Sequence, residues 1–255
     1  MESVKSPDGT TIAFDRSGSG PALILVVGAL NDRSSTKSLA AGLGSSFTVH
    51  EYDRRGRGDS DEKGPYSIER EVEDLNAVIE AAGGWALVFG HSSGGALALE
   101  AAARGVPIGG LAVYESPYTE GATIQFAEEL AELNAAGQPG EAVERFLAFV
   151  GTPPEAVEHM AAGPYWPHMQ SFANTLPYEI LLCNNGSVPV DRLTNIQTPT
   201  LALAGGVSPD WAREGARTIA DTIPGAEWQV LEGQGHGAAD EVLIPVLTEF
   251  FDRRT

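Results

Sequence analysis

Between Phe89 and Gly95 the chain reads FGHSSGG, which sets Ser92 inside a G-x-S-x-G pattern built from Gly90, His91, Ser92, Ser93 and Gly94. The apolar run WALVFG precedes it at 85–90, and the Ala/Leu-rich GGALALEAAARG follows at 94–105. A buried strand that enters a helix through a glycine-lined turn is the context in which this pattern lifts a serine oxygen clear of a sheet. The chemistry is nucleophilic. Ser92 Oγ would attack an electrophilic carbon, with a helix N-terminus beside it favouring negative charge. The N–H of Ser93, just past the nucleophile, would hold the resulting oxyanion. The competing reading is a glycine-rich turn with incidental serines.

The elements that must position this turn can be traced along the chain. ALILVVG at 22–28, FTVHEYD at 47–53, GLAVYES at 110–116, PTLALAGG at 199–206 and AEWQVLEG at 226–233 read as further strands. The 67–84 segment carries Ile68, Val72, Leu75, Val78 and Ile79 at helical spacing and ends on Gly-Gly. Strands separated by helices predict right-handed crossovers and an α/β fold, a mostly parallel central sheet with helices on both faces. From 119 to 195 strand signals cease and amphipathic helices with proline breaks take over. The expected organisation is therefore a core of 1–118 and 196–255 with a helical cap at 119–195.

Composition narrows the partners. The 255 residues carry 35 acidic and 16 basic side chains, a formal charge of −19. Such a field repels nucleic-acid backbones and anionic lipid, so neither nucleic acid nor membrane is an expected partner. No apolar run approaches the roughly 20 residues of a membrane span, and the N-terminus has no signal-like apolar stretch, so a cytoplasmic location is expected. The one cysteine, Cys183, lies in the apolar EILLCNN and reads as a small buried hydrophobe. No metal or organic cofactor is implied, and the sequence is silent on oligomeric state.

With Ser92 in place, the chain resembles the α/β-hydrolase superfamily over nearly its whole length. YDRRGRGDSD at 52–61 looks like that family's D-x-R-G-x-G-x-S segment, LILVVGALND at 23–32 like its third strand and oxyanion loop, and LEGQGHGAAD at 231–240 like its histidine loop. The resemblance implies His236 as general base, and Ala29 N–H as the second oxyanion donor. It also marks a departure: Val27-Gly28 stands where a His-Gly pair is usual. The remaining histidines read as packed or solvated, with His91 beneath the serine turn.

The family's acid usually follows strand seven, where this chain has Ser208. Two carboxylates compete to replace it. Asp210 is near, but Ser208-Pro209-Asp210 is already explained as an N-cap, a first-turn proline and a dipole-facing acid. Glu115 ends strand six, next to strand seven in the family's order, and some lactone-cleaving branches carry their acid there. Glu115 is the preferred acid and Asp210 the alternative.

The resemblance then implies a serine hydrolase acting on a small, mainly apolar carboxylic ester or lactone. Met160, Tyr165, Trp166, Met169 and Phe172 would wall its pocket; simple packing between cap helices is the competing role. Dehalogenase and epoxide-hydrolase chemistry is disfavoured, since it needs an aspartate at position 92. The alternatives are C–C bond hydrolysis, cofactor-free perhydrolysis or polyketide tailoring on the same residues, or a non-catalytic small-molecule receptor.

Overall fold

A computed structural model describes residues 1–254. Its strands are β1 (Glu2–Lys5), β2 (Thr11–Gly18), β3 (Ala22–Val26), β4 (Thr48–Tyr52), β5 (Ala86–His91), β6 (Ile108–Tyr114), β7 (Thr200–Gly205) and β8 (Glu227–Leu231). They form one sheet in the order β1-β2-β4-β3-β5-β6-β7-β8. The β1/β2 and β2/β4 pairs are antiparallel, and every pair from β4/β3 to β7/β8 is parallel.

Helices α1 (Lys37–Leu43), α2 (Ile68–Ala81) and α3 (Ser93–Ala103) lie between the early strands. Between β6 and β7 the chain forms α4 (Ile124–Ala135), α5 (Pro139–Phe149), α6 (Pro154–Ala161), α7 (Trp166–Gln170), α8 (Leu176–Leu182) and α9 (Val190–Leu193). Then come α10 (Asp210–Thr222) and α11 (Asp240–Asp252). Local chemistry sets several starts: Ser67 Oγ accepts from Arg70 N at 3.3 Å to open α2, and Thr123 Oγ1 from Phe126 N at 3.2 Å to open α4. α1 carries no strong motif, and the sequence reading does not single it out. Among the described residues no helix is long and apolar enough to cross a membrane.

The apolar runs that predict buried strands divide between two cores. Along β3, Ile24 and Val26 face the core under α2, α3 and α10, while Leu23 and Leu25 face the one under α1 and α11. β5 and β7 alternate in the same way, as period-2 side chains must when both faces are covered. A third cluster lies inside the β6–β7 insertion, around Leu130, Val143, Phe146, Leu176 and Ile180; Ala29 and Leu30 pack against it from the loop after β3.

The approach of α3 to β3 is limited by one glycine. A Cβ on Gly94 would stand 2.2 Å from the Val26 carbonyl oxygen and 2.6 Å from that of Val27. Gly94→Ala is therefore expected to push α3 off the sheet, costing about 1–3 kcal/mol as core overpacking does. A urea unfolding midpoint equal to wild type would show that the contact relaxes freely.

Candidate active site

Ser92 stands between β5 and α3, at the N-cap of the helix, with φ 56° and ψ −128°. A non-glycine residue held at positive φ is strained, and such strain is kept where the surroundings over-determine it. Here the Ser92 N–H donates to the Tyr114 carbonyl on β6 at 2.8 Å, and Ser92 O accepts from Gly95 N at 2.9 Å. A Cβ on Gly28 would fall 2.8 Å from Ser92 Cβ, so the loop after β3 lies directly against the serine. Among the described residues the Ser92 hydroxyl has no side-chain partner, which leaves it free to turn.

Glu115 stands one residue past β6, as Ser92 stands one past β5, and the register pairs His91 with Tyr114 just before them. Its carboxylate is fully buried, with Oε2 2.7 Å from His236 Nδ1. Oε1 accepts the Gly205 N–H at 2.7 Å, and Glu115 N donates to Leu203 O at 3.0 Å, so β7 holds both ends of the residue. Burial pushes the Glu115 pKa up, but the His236 and Ser208 side chains and the Gly205 N–H outweigh it, and the net shift is downward. Glu115 is thus a carboxylate, and His236 Nδ1–H is the donor, which turns Nε2 away from it.

Positions 208 and 210 differ from the sequence reading. Helix α10 begins at Asp210 after Pro209, and Ser208 does not cap it. Ser208 is instead turned inward, its buried hydroxyl lacking a hydrogen bond of good geometry but near enough to Glu115 to stabilise its charge. Asp210 is largely exposed and paired with Arg213. The structure joins Glu115, not Asp210, to His236.

Two side chains beneath the His236 loop hold it from its backbone. His91 Nε2 lies 2.8 Å from the His236 carbonyl oxygen, with the two rings 4.9 Å apart, and the Tyr114 hydroxyl donates to Gly235 O. Burial, then the nearby His236, lowers the His91 pKa to about 4, so the ring is neutral and donates from Nε2.

The loop after β3 rests on buried charge. Arg54 Nη1 donates to Val27 O and Ser93 Oγ, each at 3.2 Å, and to Glu179 Oε2 at 3.1 Å. Arg57 Nη1 donates to Gly28 O at 2.7 Å and Asn31 O at 3.2 Å, while its Nη2 pairs with Glu179 Oε1. Glu71 takes Arg54 Nε at 2.5 Å and the Tyr66 hydroxyl at 2.8 Å. Ala29 N–H and Ser93 N–H belong to the two backbone segments this cluster supports, and Ser93, as the first residue of α3, has an N–H with no partner inside the helix.

Ser92, Ser93, His236, Gly28 and Ala29 line one cavity of about 430 Å³, within the size range of small-molecule sites. Leu30, Phe146, Leu147, Phe149 and Ile180 form its apolar wall, and Trp211 covers the His236 side. The five expected pocket residues lie elsewhere. Met160 and Tyr165 are exposed, Trp166 and Met169 pack on the insertion's own core, and Phe172 is buried against His168. The helices turn α5 and α8, not α6 and α7, towards Ser92, and helical periodicity does not say which of several apolar faces meets the sheet. Arg54, Arg57, Glu179 and Tyr114 have no place in the sequence reading, and His91, expected beneath the serine turn, also reaches the His236 carbonyl. Three arginines within 54–57 of so acidic a chain are the one sequence signal that points to a buried ion cluster.

A family model described as "Alpha/beta hydrolase family" matches residues 23–243. An α/β hydrolase of Sphaerobacter thermophilus DSM 20745 is 48% identical with a TM-score of 0.91, over 98% of this chain and all of that one. Two more distant structures share the fold: an esterase of Rhodococcus sp. ECU1013 (21% identity, TM-score 0.74, 100% and 99% covered) and the enol-lactonase of Burkholderia xenovorans LB400 (19%, 0.76, 98% and 100%). No curated protein matches the sequence significantly.

His91 gives this arrangement a pH signature. In the unfolded chain it binds a proton below its ordinary 6.5, whereas in the fold it resists protonation down to about 4. Its contribution is complete above 6.5 and is lost as pH falls through that window, because the unfolded state then binds more protons. Glu115, with its lowered pKa, loses its contribution only below its ordinary 4.5. The thermal midpoint of His91→Leu should therefore fall less steeply than that of wild type between pH 6.5 and about 4.5. Parallel slopes in differential scanning fluorimetry would contradict the assignment.

Proposed function

The chain belongs to the α/β hydrolase family, and from that premise we propose that it is a serine hydrolase cleaving small, mainly apolar carboxylic esters or lactones. The observation that carries the reading is the buried Glu115 carboxylate on His236 Nδ1 at 2.7 Å, in one cavity with a strained, unpartnered Ser92. In this reading His236 Nε2 takes the Ser92 proton as Oγ forms a bond to the acyl carbon. The carbonyl π pair moves onto oxygen, where Ser93 and Ala29 N–H receive it. Collapse expels the alkoxide, protonated by His236, and leaves an acyl-enzyme that water releases by the same steps reversed. Glu115 keeps the imidazole in the tautomer this needs and stabilises the transient imidazolium.

The substrate class follows from the wall. Leu30, Phe146, Leu147, Phe149 and Ile180 favour an apolar group beside the carbonyl, and a chain of charge −19 disfavours anionic substrates. In this reading the β6–β7 insertion acts as a cap, because α5 and α8 supply that wall.

Ser92→Ala is expected to abolish both p-nitrophenyl ester turnover and fluorophosphonate labelling while leaving the fold intact. Across esters from acetate to octanoate, kcat/KM should rise with chain length until the cavity is filled, and a free carboxylate on the acyl chain should depress it. Turnover persisting in Ser92→Ala would sink the nucleophile assignment; labelling without turnover of any ester would point to another bond.

The two carboxylates give a separate test. Glu115→Gln should lower kcat by about 10²–10⁴, given that loss of the acid costs about 10⁴ in well-coupled triads. Asp210→Asn, which loses only a surface pair with Arg213, should stay close to wild type. The reverse ranking of the two kcat values would move the acid to Asp210.

A further inference from the structure

We propose that Arg57 is a positioning residue for oxyanion stabilisation: it holds and polarises the Gly28–Ala29 peptide, and Glu179 of the insertion holds Arg57 in place. The inference rests on the reading of Ala29 N–H as an oxyanion donor.

Gly28 C=O and Ala29 N–H are two ends of one planar peptide unit, and in a trans unit they point in opposite directions. Arg57 Nη1 donates to that carbonyl at 2.7 Å from a side chain that is almost wholly buried. The guanidinium therefore fixes one end of the unit, which directs the N–H away from Arg57. On the other side are Ser92, against which Gly28 has no room for a Cβ, and the cavity that Ala29 lines. A second bond, from Arg57 to Asn31 O at 3.2 Å, and one from Asn31 Nδ2 to Ala29 O at 2.7 Å, brace the loop through the positive-φ Leu30. A cation on the carbonyl also draws electron density from the N–H, making it a stronger donor where charge develops.

Arg54 touches both segments in a different way, through the Ser93 side-chain Oγ and through Val27 O in the loop after β3. One carboxylate joins the two arginines: Glu179 gives Oε2 to Arg54 and Oε1 to Arg57. Burial and then the neighbouring Arg54 oppose the Arg57 charge and hold its pKa below the ordinary arginine value, with Glu179 and Glu71 offsetting them only in part. With Glu71 the cluster balances at two positive and two negative charges. A buried cluster of this kind is weak evidence for stability, because apolar replacements of similar volume are often as stable. Its contacts end instead on the backbone of the loop that carries Ala29, at Val27 O, Gly28 O and Asn31 O, and on the Ser93 side chain. Since Glu179 sits on α8, oxyanion geometry depends on how the insertion is seated.

The test removes one charge of each sign. Arg57→Met combined with Glu179→Met leaves the Arg54–Glu71 pair balanced and is expected to fold with a thermal midpoint near wild type. Its kcat should fall about 10–100-fold, less than the 10²–10³ lost with a donor itself. KM should change by less than about threefold, as expected when an interaction specific to the transition state is lost. Affinity for an alkyl trifluoromethyl ketone, whose Ser92 adduct carries an oxyanion, should fall in parallel with kcat. Arg57→Lys, which keeps a cation on Gly28 O, should recover most of both. Tyr178→Phe, which removes a different contact of α8, to Glu62, should leave both unchanged.

A folded double variant with wild-type kcat and ketone affinity overturns the inference. So does a loss confined to KM, an equal loss in Tyr178→Phe, or a double variant that cannot fold, which would assign the cluster to stability. A ketone that binds Ser92→Ala as tightly as wild type fails the hydrolase reading itself, and the inference with it.

Discussion

The site depends on how closely three backbone segments can meet at the C-terminal edge of the sheet. The loop after β3, the end of β5 and the first turn of α3 converge at Gly28, Gly90 and Gly94, and a Cβ at any of the three would stand under 3 Å from a neighbouring heavy atom. That closeness sets the loop of Gly28 and Ala29 against Ser92, and brings Ala29, Ser92 and Ser93 to one cavity. The strain at Ser92 persists because the β6 carbonyl of Tyr114 and the helix behind leave it no other conformation.

Around this convergence lie polar groups that cannot be left unpaired without large cost. Glu115 is buried and held by His236 and Gly205 N–H, so one carboxylate ties the ends of β6, β7 and the loop after β8 together. On the far side of Ser92, Arg54 and Arg57 tie the loop after β3 to α8 through Glu179. The two systems differ in kind. The first holds an imidazole that, in the proposed reaction, gains and loses a proton, whereas the second is a set of paired charges. Fixed charge costs no reorganisation as a reaction proceeds, which suits it to the support of the proposed oxyanion donors.

Legibility in the sequence followed locality. Ser92 and the βα turn were readable because strand, glycines and helix are consecutive, and the alternating apolar runs placed the sheet's parallel strands close to where they stand. Glu115 was readable only through the family resemblance, whose strand order sets β6 beside β7: 121 residues separate it from His236, and the β6/β7 pairing that brings Gly205 to its carboxylate is a property of the sheet. Ser208 misled in an instructive way. It has the composition of an N-cap, yet the helix begins two residues later and the hydroxyl turns inward, because a buried carboxylate competes for it more strongly than a helix end open to water.

The pocket residues show where sequence stops. Tyr165, Trp166 and Met169 have the apolar character of a pocket wall, but so do Phe146, Phe149 and Ile180, and an amphipathic helix does not declare which neighbour its apolar stripe will meet. Periodicity and turn chemistry determined the α/β architecture, the position of the helical insertion and the serine turn, because each is specified by neighbours within a few residues; the histidine loop was legible through the family resemblance. The choice of Glu115 over Asp210 as partner of the histidine, the cluster of Arg54, Arg57, Glu71 and Glu179, and the lining of the cavity were decided only in three dimensions. Charge pairing and close packing act between atoms near in space, and the chain places those atoms up to 125 residues apart.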